Sequence, residues 1–255
     1  MSESVFADWR TKSYPFTFQG ELLVGTLVGG VPSDKDIARG WIESSMKDKE
    51  SNQQRIQELV AQTMVERNVT QAEAVEIVND LKNLNGFKKD PERGLFIDGR
   101  QLKAALKEAV SVAVAAGKLE MTGWGSTRKW LTNYFPEHVF VMEERLYLGV
   151  EKPTDVFQQF VHTHRGSSIQ YQEYVESVSI QFTVVTDHDF TDKDWAMIWT
   201  TGEMNGLGAS RSQGYGTYQV TRWEKTVDEK GLAALKAHLT AKSKTTRAKK
   251  TEAEA

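Results

Sequence analysis

Apolar and aromatic residues gather early in "YPFTFQGELLVGTLVGG" (Tyr14–Gly30), a β-rich run closed by Gly29-Gly30 that predicts a first strand or hairpin. From Ser33 to Asn85 the pattern turns helical. "SDKDIARGWIESSMKD" is polar and helix-like. "ESNQQRIQELVAQTMVERN" places Ile56, Leu59, Val60 and Met64 on one helical face. "NVTQAEAVEIVNDLKNLNG" opens with Thr70 and Glu73, the spacing of a capping box, and ends near Asn85-Gly86. The block reads as a helical insertion. After it, "FKKDPERGLFIDG" (Phe87–Gly99) predicts a short hairpin turning at Asp90-Pro91. "RQLKAALKEAVSVAVAAGK" is a strong helix stopped by Gly117, with alanines that permit close packing on a sheet.

Residues 119–150 alternate in places and suggest strands, while 151–171 read as irregular. "YVESVSIQFTVVT" (Tyr174–Thr186) is a clear strand. "TDKDWAMIWTTGEMN" carries a second capping-box pair, Thr191 and Asp194, and reads as a helix. A glycine-rich stretch follows, then the strand "GTYQVTRWEK" and a final helix over about 228–241. Strands and helices are mixed, so the class is α+β. With the insertion removed the order approximates βαβ…βαβ, a ferredoxin-like plan. One sheet is expected from 87–130 and 172–225, with helices 100–116 and 192–204 on the same side. The core would comprise 1–32 and 86–241, and the insertion 33–85. The charged tail 242–255 is expected to be disordered.

Composition narrows the function. The chain has 255 residues, enough for a sizeable core, and no cysteine, which removes disulfides, thiolate metal sites and cysteine nucleophiles. No run approaches a membrane span, and the N-terminus lacks a secretory apolar core, so a cytoplasmic location is expected. Net charge is −3 and gives no global sign of a nucleic-acid partner. Basic residues nonetheless prevail in 86–135 (9 against 5 acidic) and in 201–255 (10 against 6). A basic surface forms if these blocks meet; otherwise they are solvated faces.

"GLGASRSQGYGTYQV" (Gly206–Val220) concentrates four glycines around Arg211 directly before a strand. Glycines let a backbone approach a ligand and expose N–H groups to phosphate oxygens, and Ser210, Arg211 and Ser212 add side-chain donors. The order helix, glycines, strand is the reverse of a dinucleotide fingerprint, and no Gly-Lys-Ser/Thr is present for a P-loop. The stretch resembles the C-terminal glycine-rich signature of the RAMP superfamily of CRISPR proteins. "FKKDPERGLFIDGRQLKAALKEA" (Phe87–Ala109) is similar to the strand–helix junction of backbone subunits in type III CRISPR effector complexes, with Asp90-Pro91, Phe96-Ile97, Gly99, Leu102, Lys103, Ala105 and Leu106 in order. Gly29-Gly30 after the first strand agrees. Asp98, Arg100, Gln101 and Ala104 depart from the family's proline, serine and glycine positions, as in a divergent, phage-borne relative.

The resemblance implies a ferredoxin-like (RRM-like) core that binds single-stranded RNA and assembles along it as a homo-oligomer or ribonucleoprotein subunit, with no membrane and no cofactor. The RNA-binding residues it implies are Gly206, Gly208, Ser210, Arg211, Ser212, Gly214 and Gly216, with Arg100 and Lys103 from the helix after the hairpin. Asp34 and Asp36 follow Gly29-Gly30, where an acidic residue cuts RNA in some members. A metal-dependent endoribonuclease is therefore one alternative, and a helix cap at Ser33 or Asp34 is the plainer reading of these residues. A self-assembling phage-related structural protein with the same fold is the other.

His162 and His164 form an H-x-H that ligates a metal if it lies on a strand, or else belongs to a polar loop. Asp187, His188, Asp189, Asp192 and Asp194 cluster at a helix start and fit dipole compensation, with His138 structural. Tyr215, Tyr218, Phe140, Tyr147 and Phe182 lie on or near expected strands, where base-stacking residues would stand.

Overall fold

Phe16, Phe18, Leu22 and Val24 are buried while Gln19, Leu23 and Gly25 are exposed, the alternation of a strand with one face on a core. This strand is β1 (Phe16–Val28). The structure, a computed structural model, describes residues 13–32, 49–119, 134–163, 166–234 and 236–237. The later elements are β2 (Val31–Pro32), α1 (Lys49–Arg67), α2 (Gln71–Asn83), β3 (Leu84–Gly86), β4 (Lys88–Asp90), β5 (Gly94–Asp98) and α3 (Gly99–Ala115). They continue with β6 (Val139–Val141), β7 (Arg145–Tyr147), β8 (Asp155–Thr163), β9 (Gly166–Thr186), α4 (Asp192–Asn205) and β10 (Tyr218–Val227). The class is α+β.

β1 lies between β9 and β10 and is antiparallel to both, with Leu22 opposite Ile180 on one side and Val220 on the other. β6 pairs antiparallel with the C-terminal end of β9. At the other end of β9, β3 pairs parallel at Tyr171 and Gln172, and β2 extends β3. α3 buries Leu102, Ala105, Leu106, Ala109, Val110 and Ala113, a helical stripe. α4 buries Trp195, Ile198 and Trp199. The two helices pack on each other. α4 also lies close on the sheet because Gly202 has no side chain: a Cβ there would lie 2.3 Å from the Tyr218 hydroxyl of β10. Both cover the buried face of the sheet, where Phe18 stacks on Trp223 (4.8 Å) and Phe182 meets Trp199.

Both expected capping boxes form. The Thr70 N–H donates to Glu73 Oε2 (2.8 Å), and the Thr191 hydroxyl oxygen accepts from the Asp194 N–H (3.1 Å). α1 and α2 join through their own small cluster of Val60, Ala74 and Val78, with Met64 and Val69 against it. The side chains of Ile56 and Leu59, the segment 33–48 and the tail 242–255 lie outside the described residues.

Two expectations are corrected. The hairpin β4–β5 does form at Asp90-Pro91, but it joins β7 in a separate three-stranded sheet instead of the main one. β5 is buried on both faces, so its hydrophobicity does not reveal which sheet it joins. The helices α3 and α4 do lie on the same side, as expected. The segment 151–171 is not irregular: β8 and the first half of β9 form a hairpin in register from Asp155–Tyr174 to Thr163–Gly166. Its glutamines and serines hide a period of two that apolar residues would have shown.

Candidate functional site

The glycine-rich loop folds back onto the end of β1. The Leu207 N–H donates to the Gly216 carbonyl (2.8 Å), the Gly216 N–H to the Thr26 carbonyl (2.8 Å), and the Ala209 N–H to the Val28 carbonyl (3.0 Å). Gly208 has φ +86°, and a Cβ on it would stand 2.8 Å from the Val28 carbonyl oxygen. Much of the loop's backbone is therefore engaged within the fold. The N–H groups of Gly208, Ser210 and Arg211 are outside these pairings. Ser210 donates its hydroxyl to the buried Gln172 amide oxygen (2.7 Å). Arg211 begins a short 3-10 turn and donates to Glu108 of α3 at 2.6 Å.

The hairpin–helix junction faces this loop. Asp98, only 14% exposed, is gripped by Lys88 (2.8 Å) and Arg100 (2.8 Å). Burial raises the Asp98 pKa, but the two cations together outweigh it and hold the carboxyl below the usual range. A depressed carboxylate stabilises the fold above its unfolded pKa and loses that contribution as pH falls through the folded one. Asp98→Asn should therefore melt earlier than the native chain at pH 7. The gap should close as pH drops below about 4, read from melting curves against pH. A gap constant from pH 7 to 3 would disprove the ionic origin.

Glu173, 4% exposed, accepts from the Phe87 N–H (3.2 Å) and Lys89 Nζ (3.4 Å). It stands so close to β3 that a Cβ on Gly86 would lie 1.9 Å from its carboxylate oxygen. Gly29, Gly86, Lys88, Asp98, Glu108 and Arg211 line a single open cleft of about 290 Å³. Gly30, Gly206, Gly208 and Gln101 border it too. Three segments far apart in sequence thus meet: the Gly29-Gly30 turn, the hairpin–helix junction and the glycine-rich loop. The two basic blocks meet at this cleft through Lys88 and Arg211, and the cations around it are held in ion pairs: Lys88 and Arg100 with Asp98, Lys89 with Glu173, and Arg211 with Glu108.

The expected site residues divide. Gly206, Gly208 and Arg211 line the cleft, and Ser210 sits behind it on Gln172. Gly216 is buried beneath the loop, and Ser212 and Gly214 are exposed outside the cleft lining. Arg100 and Lys103 line a neighbouring cleft instead. Asp34 and Asp36 lie outside the described residues, as do His164 and the side chain of His162. Lys88, Asp98, Gln101, Glu108 and Glu173 were missed. Gln101, Ala104, Ala105 and Glu108 lie three and four apart, the one sequence signal that they share a helix face.

No known family's model matches the chain, and no curated protein matches it. A chain of the solved structure "Cryo-EM structure of the Type III-B Cmr-beta bound to cognate target RNA" is similar at 12% identity and a TM-score of 0.46. The similarity covers 87% of this chain and 64% of that one, so this protein spans less than two thirds of its length.

The remaining candidates resolve as structure. His138 precedes β6 in a helical turn, pairs with Asp187 (2.8 Å) and stacks on Tyr134 (3.6 Å). Asp189 pairs with Lys225, and Asp194 completes its capping box. Among the described residues no three acidic or histidine side chains are grouped to hold a metal ion. Tyr218 and Phe182 are core, while Phe140, Tyr147 and Tyr215 are half-buried. The open face of the main sheet shows Gln19, Leu23, Ser179, Gln181, Gln219 and Thr221, with Glu21 bonded to Ser179. It offers no aromatic platform among these residues.

Proposed function

We propose that this protein binds single-stranded RNA in the cleft between the glycine-rich loop and the α3 junction, as a RAMP-like subunit that assembles along a guide RNA. The observation that carries the reading is the convergence of the three resembling segments on one cleft. The N–H groups of Gly208 and Arg211, which pair with no backbone carbonyl among the described residues, would with the Arg211 guanidinium supply phosphate donors of the kind that fix a backbone without reading its sequence.

A ferredoxin-like core underlies this reading. Its support is the all-antiparallel arrangement of β10, β1, β9 and β6, with α3 and α4 on one face. The division into a core of 1–32 and 86–241 with an insertion at 33–85 belongs to the same proposal, supported by the separate cluster of α1 and α2.

A structural protein that kept the fold and lost RNA is the second reading, favoured by the pairing of Arg211 with Glu108. Anisotropy of a labelled single-stranded RNA at two salt concentrations separates the two. Binding that weakens steeply with salt is expected, with single strands preferred over duplex. No binding at low salt, together with an absorbance ratio free of nucleic acid in the purified protein, would overturn the proposal.

A further inference from the structure

Beyond the Lys88–Asp98–Arg100 cluster a second cleft opens, of about 590 Å³, and the two clefts share Lys88 and Asp98 as a common wall. Its other side is formed by Lys103 of α3 and by Phe140 and Met142. The Lys103 ammonium lies 4.0 Å from the centre of the Phe140 ring, and among the described residues no carboxylate is within ion-pair distance of it. Lys103 is half-buried, and burial lowers its pKa, as expected of a cation with no counter-charge beside it. Tyr14 meets the Phe140 ring edge-on and holds it in place (5.3 Å). Met142 is 57% exposed, a large apolar side chain in the open.

The acidic groups of this cleft are accounted for. Asp98 is neutralised by Lys88 and Arg100, and the Glu143 carboxylate accepts the Thr183 N–H (2.8 Å). Glu144 is exposed at the rim. Each acidic group except Glu144 thus has a partner, whereas Lys103 is paired with the Phe140 ring and, among the described residues, with no carboxylate, and the Met142 thioether stands exposed beside them. These are complements of a phosphate and of a nucleobase: bases stack on aromatic rings, and an ammonium above a ring holds an anion. The volume is within the range of small-ligand pockets, and the first cleft is smaller.

We infer that the second cleft receives the next nucleotide of the strand bound in the first, with its base against Phe140 and Met142 and its phosphate on Lys103, the strand crossing the Lys88–Asp98–Arg100 wall. The inference rests on the RNA-binding reading and adds a stacking site with a preference for larger bases. The site is poor in net charge, since three carboxylates offset three cations. Stacking, and not salt-sensitive attraction, supplies most of its contribution.

The test uses the full chain with fluorescein-labelled ten-nucleotide oligo-adenylate and oligo-uridylate, read by anisotropy at two salt concentrations beside a melting curve. Phe140→Ala should weaken oligo-adenylate binding roughly tenfold and oligo-uridylate binding less, because a purine stacks over more area. Phe140→Trp should retain or raise the affinity, and it keeps the test open if the alanine variant folds poorly. Lys103→Gln should lower the salt slope by about 0.7. If the native chain binds neither oligonucleotide, the RNA-binding reading itself fails. If it binds both, and Phe140→Ala, Phe140→Trp and Lys103→Gln all match it, the first cleft stands and the second-nucleotide site is refuted.

Discussion

Gly216→Ala should lower the melting temperature by roughly 10 °C, whereas Gly214→Ala, two residues away in the same loop, should lower it by only a few degrees. Both glycines have left-handed backbones, φ +77° and +89°. A Cβ on Gly214 meets nothing within 4 Å, so alanine there carries only the left-handed cost, about 1–2 kcal/mol. A Cβ on Gly216 would stand 1.9 Å from the Leu207 carbonyl oxygen, which is backbone and cannot swing aside. Relief requires moving a segment whose two hydrogen bonds, Leu207 N–H to Gly216 and Gly216 N–H to Thr26, tie the loop to β1. Losing both costs about 1 kcal/mol each, which added to the conformational cost makes roughly 3–4 kcal/mol. At about 2–4 °C per kcal/mol for a chain of this size, the two variants separate clearly. Equal, small shifts in both would mean that the loop is soft and that its glycines do not hold it to the sheet.

The loop's glycines are required by packing against β1 and against the loop itself, and that requirement was not legible beforehand. Backbone freedom next to Arg211 suggested a phosphate cradle, and Gly208 does border the cleft. That Gly216 is a packing necessity depends on Leu207 and Thr26, whose approach no local pattern announces. Local signals elsewhere were dependable. Thr70 with Glu73, Thr191 with Asp194, the Asp90-Pro91 turn and the alanine-rich α3 each state their structure within a few residues, because capping and turn chemistry are short-range. What failed was non-local or polar. β8 is concealed by glutamines on both faces, and β5 by its burial on both. Glu108 and Arg211 are 103 residues apart, and nothing in either neighbourhood indicates the other. The same ignorance left Lys88, Lys89 and Arg100 as bare positive charge in the sequence, when each is held by a carboxylate.

On the proposed RNA-binding reading, the Glu108–Arg211 pair sets what a phosphate entering the cleft would have to displace. A phosphate reaching Arg211 must replace the Glu108 carboxylate, which is already bonded at 2.6 Å. Glu108→Gln keeps the shape and removes the competing charge, so it should strengthen binding of single-stranded RNA by about fivefold to tenfold, since charge-assisted hydrogen bonds are worth about 1.5–3 kcal/mol and a neutral amide recovers part. Arg211→Ala should weaken binding about tenfold for all sequences alike and lower the salt slope by roughly 0.7. The double variant should resemble Arg211→Ala alone, because Glu108 acts only through the guanidinium; such non-additivity marks a direct coupling. Stability should change little in either single variant. The two side chains are 33% and 44% exposed, and ion pairs of that kind contribute at most about 1 kcal/mol. The measurements are anisotropy at two salt concentrations and a melting curve for each variant. Suppose instead that Arg211→Ala melts well below the native chain while its folded fraction binds RNA unchanged. Then Arg211 is a strut between the loop and α3, Glu108 is its partner and not a competitor, and the phosphate role proposed for this loop is lost at its one charged residue.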